Sequence, residues 1–310
     1  GKIRLDFPSR LPFYAEASFT RSRWDFFKSS TAFFEESKPS FIVQNDLYGD
    51  VNLGLPAKNK GKVITGCAFA NSYDKYYQTK IFSASDTADR TDFYITSPYL
   101  FYERNTLNKK QYANKGTYFL FKARYLSGRE INTPGSTSAN KGQFSKYHNW
   151  FNVHLKYDNY FKRKGNLRLG FYLEGVFSNQ NFFNNYTASI IAAPAFTPIP
   201  ESRTLFLENF RAHSYAAGGF RTVVNFYTNF DIRMEGFLYQ PYREIVKQPD
   251  LTAAYASPFI HLYFIGSSSL IYHSPIGPLS FSVNYYDRKT NSFNFLFSFG
   301  YLLFNKKSTE

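Results

Sequence analysis

The sequence has little of what would place it quickly. It holds one cysteine, Cys67, in 310 residues, so no intramolecular disulfide can form. No run approaches the ~18–20 consecutive apolar residues of a spanning helix, which excludes a helical membrane protein. Acidic residues are outnumbered, 23 against 37 Lys and Arg, leaving a formal charge of +14. That balance admits nucleic acid, acidic lipid or an anionic leaflet as partner. The basic residues are scattered, however: Lys58, Lys60 and Lys62 near one turn, and Lys162, Arg163 and Lys164 in another. Neither group joins stacking aromatics in a nucleic-acid module, so no nucleic-acid partner is expected. The chain opens Gly-Lys-Ile without an initiator Met or an apolar leader, as a processed form or a fragment would.

Abundance lies in the aromatics, 36 Phe and 26 Tyr against 2 Trp. Aromatics favour strands, and Tyr suits a membrane interface, where its ring meets hydrocarbon and its hydroxyl water. The stretch 292–304 reads S-F-N-F-L-F-S-F-G-Y-L-L-F. Side chains alternate in a strand, which puts Phe293, Phe295, Phe297, Phe299 and Tyr301 on one apolar face and Asn294, Ser298 and Gly300 on the other. A soluble strand would need a partner sheet to hide such a row, whereas a strand facing lipid would not. The mean hydropathy of −0.40 is compatible with this reading, because a barrel averages a lipid face with polar loops and lumen.

The alternation recurs along the chain. Strands are predicted near residues 3–7, 13–27, 40–55, 62–78, 91–107, 117–126, 151–157, 167–173, 187–196, 215–227, 230–240, 259–272, 279–286 and 292–304. That makes about fourteen, with residues 128–147 as a long outward loop. Several strands exceed the ~5–6 residues usual in soluble sheets, as membrane-crossing strands do. Ionisable groups share the face opposite the apolar row: His154 and Lys156 in one strand, Arg168 and Glu174 in the next, Asp231, Arg233 and Glu235 in another. Charges on an inward strand face are ruinous in a dry core and ordinary in a watery lumen. The fold class is all-β, a transmembrane antiparallel β-barrel, with no composition shift to mark a second domain in residues 1–310.

Five stretches carry a family resemblance: F-Y-E-R-N-T-L-N-K-K-Q-Y at 101–112, N-Y-T-A-S at 185–189, Y-Q-P-Y at 239–242, I-Y-H-S-P-I-G-P-L at 271–279 and F-S-F-G-Y-L-L-F-N at 297–305. Together they resemble the C-terminal barrel of Bacteroidetes patatin-like outer-membrane proteins, in the superfamily of BamA and the two-partner-secretion transporters. The resemblance covers nearly the whole chain and implies a wall of about sixteen strands. Residues 3–7 would then be about the third strand, with the first strands and any upstream periplasmic or patatin domain outside this chain. It implies a sixth outer loop folded into the lumen, its Arg bonded to a wall Asp. Here Asn209-Phe210-Arg211-Ala212 offers Arg211, with Asp231 the candidate partner and Glu235 second, although Ala212 and His213 depart from the family's Gly and Phe. It also implies an integral outer-membrane location, with membrane lipid and the assembly machinery as partners, the latter reading the strand end near Phe304. A fused or associated lipid hydrolase is a further implied partner. This chain has no Gly-x-Ser-x-Gly elbow, so any such activity belongs to a parent protein.

No catalytic residue, metal or cofactor is expected. The five histidines form no His-x-x-x-His pair, and Asp86, Asp89 and Asp92 lack the other ligands and turn glycine of a calcium loop. Glu174, Asp231 and Glu235 could share a lumen, but nothing in the sequence brings them together as an acid/base pair. The reading is therefore a translocator or anchor barrel. A BamA-type assembly or secretion barrel and a porin-like channel are the alternatives, and a soluble two-domain sandwich is the plain structural rival. The barrel predicts a purified chain that needs detergent and changes gel mobility on boiling, checked by unheated and heated electrophoresis; a monodisperse detergent-free protein would refute it.

Overall fold

The computed structural model describes residues 1–8, 12–26, 41–58, 60–79, 82–83, 85–288 and 292–302. In chain order the strands are β1 (Lys2–Phe7), β2 (Phe13–Phe26), β3 (Ile42–Ala57), β4 (Gly61–Tyr76), β5 (Asp89–Asn105), β6 (Gly116–Thr133), β7 (Phe144–Lys164), β8 (Leu167–Ser178), β9 (Tyr215–Tyr227), β10 (Phe230–Pro241), β11 (Ile245–Lys247), β12 (Ala253–Tyr255), β13 (Tyr263–Ser274), β14 (Gly277–Tyr286) and β15 (Phe293–Phe299). Thirteen of them form one sheet in which each strand pairs with the next in sequence, except that β10 pairs with β13. Every pairing is antiparallel, and β11 and β12 form a separate hairpin between β10 and β13.

The sheet curls so that one face encloses a space. Tyr160 on β7 and Arg233 on β10 are not on neighbouring strands, yet the Arg233 guanidinium donates to the Tyr160 hydroxyl at 2.9 Å. The two faces differ as the alternation requires. On β15 the four phenylalanines are 61–67% exposed. On β14, Phe281 points out while Ser280, Ser282 and Asn284 are buried within. This is an all-β transmembrane barrel wall, and its longest strand, β7 with 21 residues, outreaches the ~9–11 that cross a membrane.

The strands meet in short turns at one end and long segments at the other. Gly165 takes φ +55° in the tight β7–β8 turn, and Asn229 takes φ +70° between β9 and β10, conformations that Gly and Asn adopt at low cost. At the far end lie residues 77–79, 85–88, 134–143, 179–214 and 242–262. Barrels of this kind keep short turns on the periplasmic side and long loops outside. Pro98 sits within β5, and the β5–β6 ladder skips from Thr96 to Tyr99, because proline has no N–H to give it.

Three segment expectations are corrected. Residues 187–196 are not a strand: α1 (Tyr186–Ala192) starts there, its N-cap Asn185 accepting the Ala188 N–H at 2.9 Å. Buried from Thr187 to Ile191, this segment has no neighbouring edge to pair with and must satisfy its backbone internally. Half of the interval 128–147 is wall, since β6 runs to Thr133 and β7 begins at Phe144. Glu130, fully buried within it, pairs at 2.7 Å with His148 on β7, so a polar residue that suggested a loop is a hydrogen-bonded wall residue. The strand expected at 259–272 begins only at Tyr263. The sheet therefore has thirteen strands, one fewer than the tally, and Phe304 lies outside the described residues.

The face assignment makes a measurable distinction. Leu270→Arg, on the lipid face of β13, is expected to cost about 2–4 kcal/mol of folding stability in liposomes. Ser269→Ala, one residue away on the inner face, should cost about 1 kcal/mol. Urea titration of the folded gel band compares the two.

Candidate functional site

Inside the wall, much of the interior is filled, although the inner face of β1–β6 near the short turns lines a cavity of ≈ 660 Å³. Residues 179–214 leave β8 at the long-loop end, fold back across the inner face and return to β9. Within them lie α1 and two 3-10 turns, Pro200–Thr204 and Glu208–Phe210. Phe196, Ile199, Leu207, Phe210 and Ala212 pack on wall residues that include Tyr172, Tyr239 and Tyr286. Ala188 and Ile191 of α1, with Phe183, pack on Phe93, Leu126 and Trp150. A fully buried side chain of this size contributes about 1.5–3 kcal/mol, so the segment is anchored as firmly as a protein core. The watery lumen expected from the charges is thus largely an aromatic interior, and much of the tyrosine attributed to the membrane interface is spent there.

Arg211 ends the inserted segment, and the expected bonds to Asp231 and Glu235 are replaced by others. Its guanidinium donates to the carbonyls of Ile191 at 3.0 Å and Ala193 at 3.1 Å, at the C-terminal end of α1, and lies 4.5 Å from the Phe206 ring. Those carbonyls are the negative end of the helix and suit a cation. Asp231 is the second residue of β10, beside the short β9–β10 turn, and so belongs to the opposite end of the barrel. Alternation gave the correct face for Asp231 but carried no information on depth. Its partners are His273 at 2.7 Å, Asn225, Asn114 at 3.4 Å and Lys109 at 3.7 Å.

Glu235 instead joins a compact charge cluster. Arg221 pairs with Asp158 and, at 3.0 Å, with Glu235; Arg233 pairs with Glu235 at 2.9 Å. Two cations and two acids balance, as a desolvated ionic group must. The remaining guanidinium donors hold the two inserted segments: Arg221 donates to the Pro198 carbonyl at 3.0 Å, and Arg233 to the Ala113 carbonyl at 2.7 Å. Ala113 belongs to residues 106–115, the turn between β5 and β6, which enters from the short-turn end.

The two intrusions meet. Tyr112 donates its hydroxyl to Glu201 at 2.6 Å and shares a hydrogen bond of 3.0 Å with Ser280 on the wall, while Ser282 donates to the same carboxylate at 3.2 Å. Small hydroxyl residues on the inner face of β14 let both segments come this close. Next to Tyr112, the Gln111 amide donates to the Leu302 carbonyl at 2.6 Å and accepts the Leu302 N–H at 3.2 Å. Leu302 follows Gly300, whose φ of +86° bends the chain away from β15. A turn near the middle of the sequence thus clasps the end of the last strand.

Of the other wall residues singled out, Glu174 is held by His154 at 3.0 Å, by Tyr215 at 2.8 Å and by Tyr172. The Lys156 ammonium lies 5.0 Å from the Tyr172 ring centre. Arg168 stands apart, donating to the Gly165 and Leu167 carbonyls at 2.6 and 3.0 Å, where it braces the β7–β8 turn instead of the interior. A cavity of ≈ 250 Å³ remains between the inserted segment and β2–β8, with Lys122, Arg124, His154, Lys156, Glu174 and Arg211 among its lining. Above the strands, burial holds His213 down at about 4, and its Nδ1 lies 2.6 Å from the Tyr255 hydroxyl, joining the segment to the β11–β12 hairpin. Among the described residues no group of three or more His, Cys, Asp or Glu is placed to hold a metal ion.

Sequence reasoning missed Gln111, Tyr112, Glu201 and Arg221. Arg221 was within reach, because it alternates with Phe220, which is 72% exposed. Glu201 follows two prolines in an irregular segment with no periodicity to orient it.

No family model matches the chain, and no curated protein matches it. Among solved structures it is similar to BamA from Haemophilus ducreyi lacking POTRA domains 1–3, with a TM-score of 0.54 and 10% identity over 96% of this chain and 59% of that one. It also aligns with the beta domain of the Bordetella autotransporter BrkA, with a TM-score of 0.38 and 10% identity over 93% of this chain and 95% of that one. The chain spans 59% of the BamA chain it matches, and at this identity the likeness shows the barrel fold.

The junction between the two intrusions is testable as a coupled pair. Tyr112→Phe and Glu201→Gln should each destabilise the folded barrel, and the double variant should lose less than the sum of the two, with a coupling of about 1–2 kcal/mol. Additive losses in urea titration would mean that the two segments do not lean on each other.

Proposed function

We propose that this chain is the integral outer-membrane barrel of a larger protein, serving as translocator and anchor for an attached patatin-like, phospholipase-type domain. The observation that carries the anchoring role is the largely filled interior. Residues 179–214 and 106–115 enter from opposite ends and are joined through Tyr112 and Glu201, with Arg221 and Arg233 holding one segment each. A wall packed in this way suits holding better than free diffusion of solutes. The five stretches resembling Bacteroidetes patatin-like barrels support the hydrolase assignment, and its nucleophile would lie in the parent protein. Outer-membrane lipid, the insertion machinery and the attached hydrolase domain are the partners in this reading, and the barrel itself does no chemistry.

A second reading, a BamA-type assembly or secretion barrel acting on client proteins, is favoured by the likeness to the BamA fold. One experiment separates them. Antibody against the barrel should recover from native membranes a protein that releases fatty acid from phospholipid and is blocked by a serine-reactive fluorophosphonate. A recovered protein with no such activity and with unfolded outer-membrane clients attached would support the second reading and refute the first.

The closed interior gives its own measurement. In planar bilayers the intact barrel should show little steady conductance, and a variant with residues 195–207 replaced by a Gly-Ser linker should open. A large stable conductance of the intact chain would favour a porin-like channel.

A further inference from the structure

The segment between β10 and β13 holds an apolar surface that the interior does not use. Residues 257–262, S-P-F-I-H-L, are all exposed, with Phe259 at 64%, Ile260 at 50% and Leu262 at 55%. Phe259 also has φ +56°, a conformation costly for a bulky side chain. The strained backbone is held in place: the Phe259 N–H donates to the Tyr242 carbonyl at 3.0 Å, and Gln240 donates to the His261 carbonyl at 3.0 Å. The Phe259 ring meets the Tyr242 ring edge-on at 5.3 Å, so the outward aromatic is fixed at the end of β10 and is no frayed tip.

Position says what covers this surface. Residue 262 directly precedes β13, whose outward residues begin with Phe264. Phe264 contacts Tyr285 at 6.1 Å, and Tyr285 contacts Phe293 at 5.3 Å, which forms an aromatic girdle at the outer edge of the lipid face. The apolar run continues that lipid face without a break. Basic groups stand beside it: the Arg243 guanidinium is 5.4 Å from the Tyr242 ring and 5.9 Å from the Tyr255 ring, and the exposed His261 pairs with Glu244 at 2.8 Å. Aromatic and aliphatic side chains flush with a girdle and flanked by the Arg243 guanidinium match the boundary between acyl chains and anionic head groups.

We infer that residues 257–262 seat in the outer leaflet of the membrane, with Phe259, Ile260 and Leu262 among acyl chains and Arg243 at lipid phosphate. The occupant is lipid with an anionic head group, and the barrel is gripped at its outer rim on the β10–β13 side by more than its strands. Asp250, exposed between β11 and β12 in the same segment, stays in water.

The test uses the full chain with Cys67→Ser, so that one introduced cysteine carries a nitroxide at position 250, 260 or 270. Electron paramagnetic resonance then compares collision with oxygen and with nickel-EDTA-diacetate in vesicles of phosphatidylcholine with and without phosphatidylglycerol. The oxygen-to-nickel ratio at Ile260→Cys should be several-fold above that at Asp250→Cys and below that at Leu270→Cys. It should rise with phosphatidylglycerol, and Arg243→Ala should remove that rise while leaving position 270 unchanged. All three labelled sites are exposed, and the heat-modifiable band checks that each variant is folded. A ratio at 260 equal to that at 250 would overturn the inference and leave the surface to a protein partner. A ratio indifferent to phosphatidylglycerol would overturn the role given to Arg243.

Discussion

Every other feature depends on one requirement: a backbone in hydrocarbon must satisfy its own N–H and C=O groups, because no water will. A sheet pairing each strand with its neighbour meets it, and strand order here follows chain order around the wall except for the β11–β12 hairpin. Because all neighbours are antiparallel and the number is odd, the edge strands β1 and β15 point the same way. An antiparallel ladder could not join them directly. The same requirement explains α1, the helix in the inserted segment, whose backbone is satisfied by its own turns, by the Asn185 cap and by Arg211 at its C-terminal carbonyls.

The wall then sorts its side chains by two different solvents. Outside, Phe and Leu meet lipid at no cost. Inside, Tyr takes the place of Phe at Tyr76 and Tyr172, both fully buried, where the ring also makes a polar contact. Tyr76 shows why, with its hydroxyl bonded to Thr91 at 2.8 Å and to Asn185, the cap of α1, at 2.7 Å. The charges obey the same rule. Asp158, Arg221, Arg233 and Glu235 balance one another, and spare guanidinium donors reach carbonyls of the inserted segments. Ionic groups that would be costly singly become the fixing points of the interior.

The interior links distant parts of the chain to the membrane-facing wall. Residues 106–115 touch β10, β14 and the tail after β15, while residues 179–214 pack on wall residues that include Phe26, Phe93, Trp150, Tyr172, Tyr239 and Tyr286. Opening such a barrel would need both intrusions to move, since Tyr112 and Glu201 tie them and Gln111 ties one of them to Leu302. This is the physical content of the proposed anchoring role, and it makes the end of the last strand part of the same assembly.

The sequence by itself determined the wall. A period of two, the Phe rows and the ionisable groups opposite them give strand existence, strand face and the barrel class, because alternation is a local property of extended chain. It also assigned Arg233, Glu174 and His154 to the inner face by parity alone. It could not supply depth, and so it paired Arg211 with an aspartate at the other end of the barrel. Nor could it tell that the run from 187 begins in a helix, α1, since an apolar run reads the same buried in a wall or wrapped by one. The inserted segments, the clasp at Gln111 and the charge cluster were decided only by the tertiary structure. Their contacts join residues up to 191 positions apart, and no local pattern encodes which of them will meet.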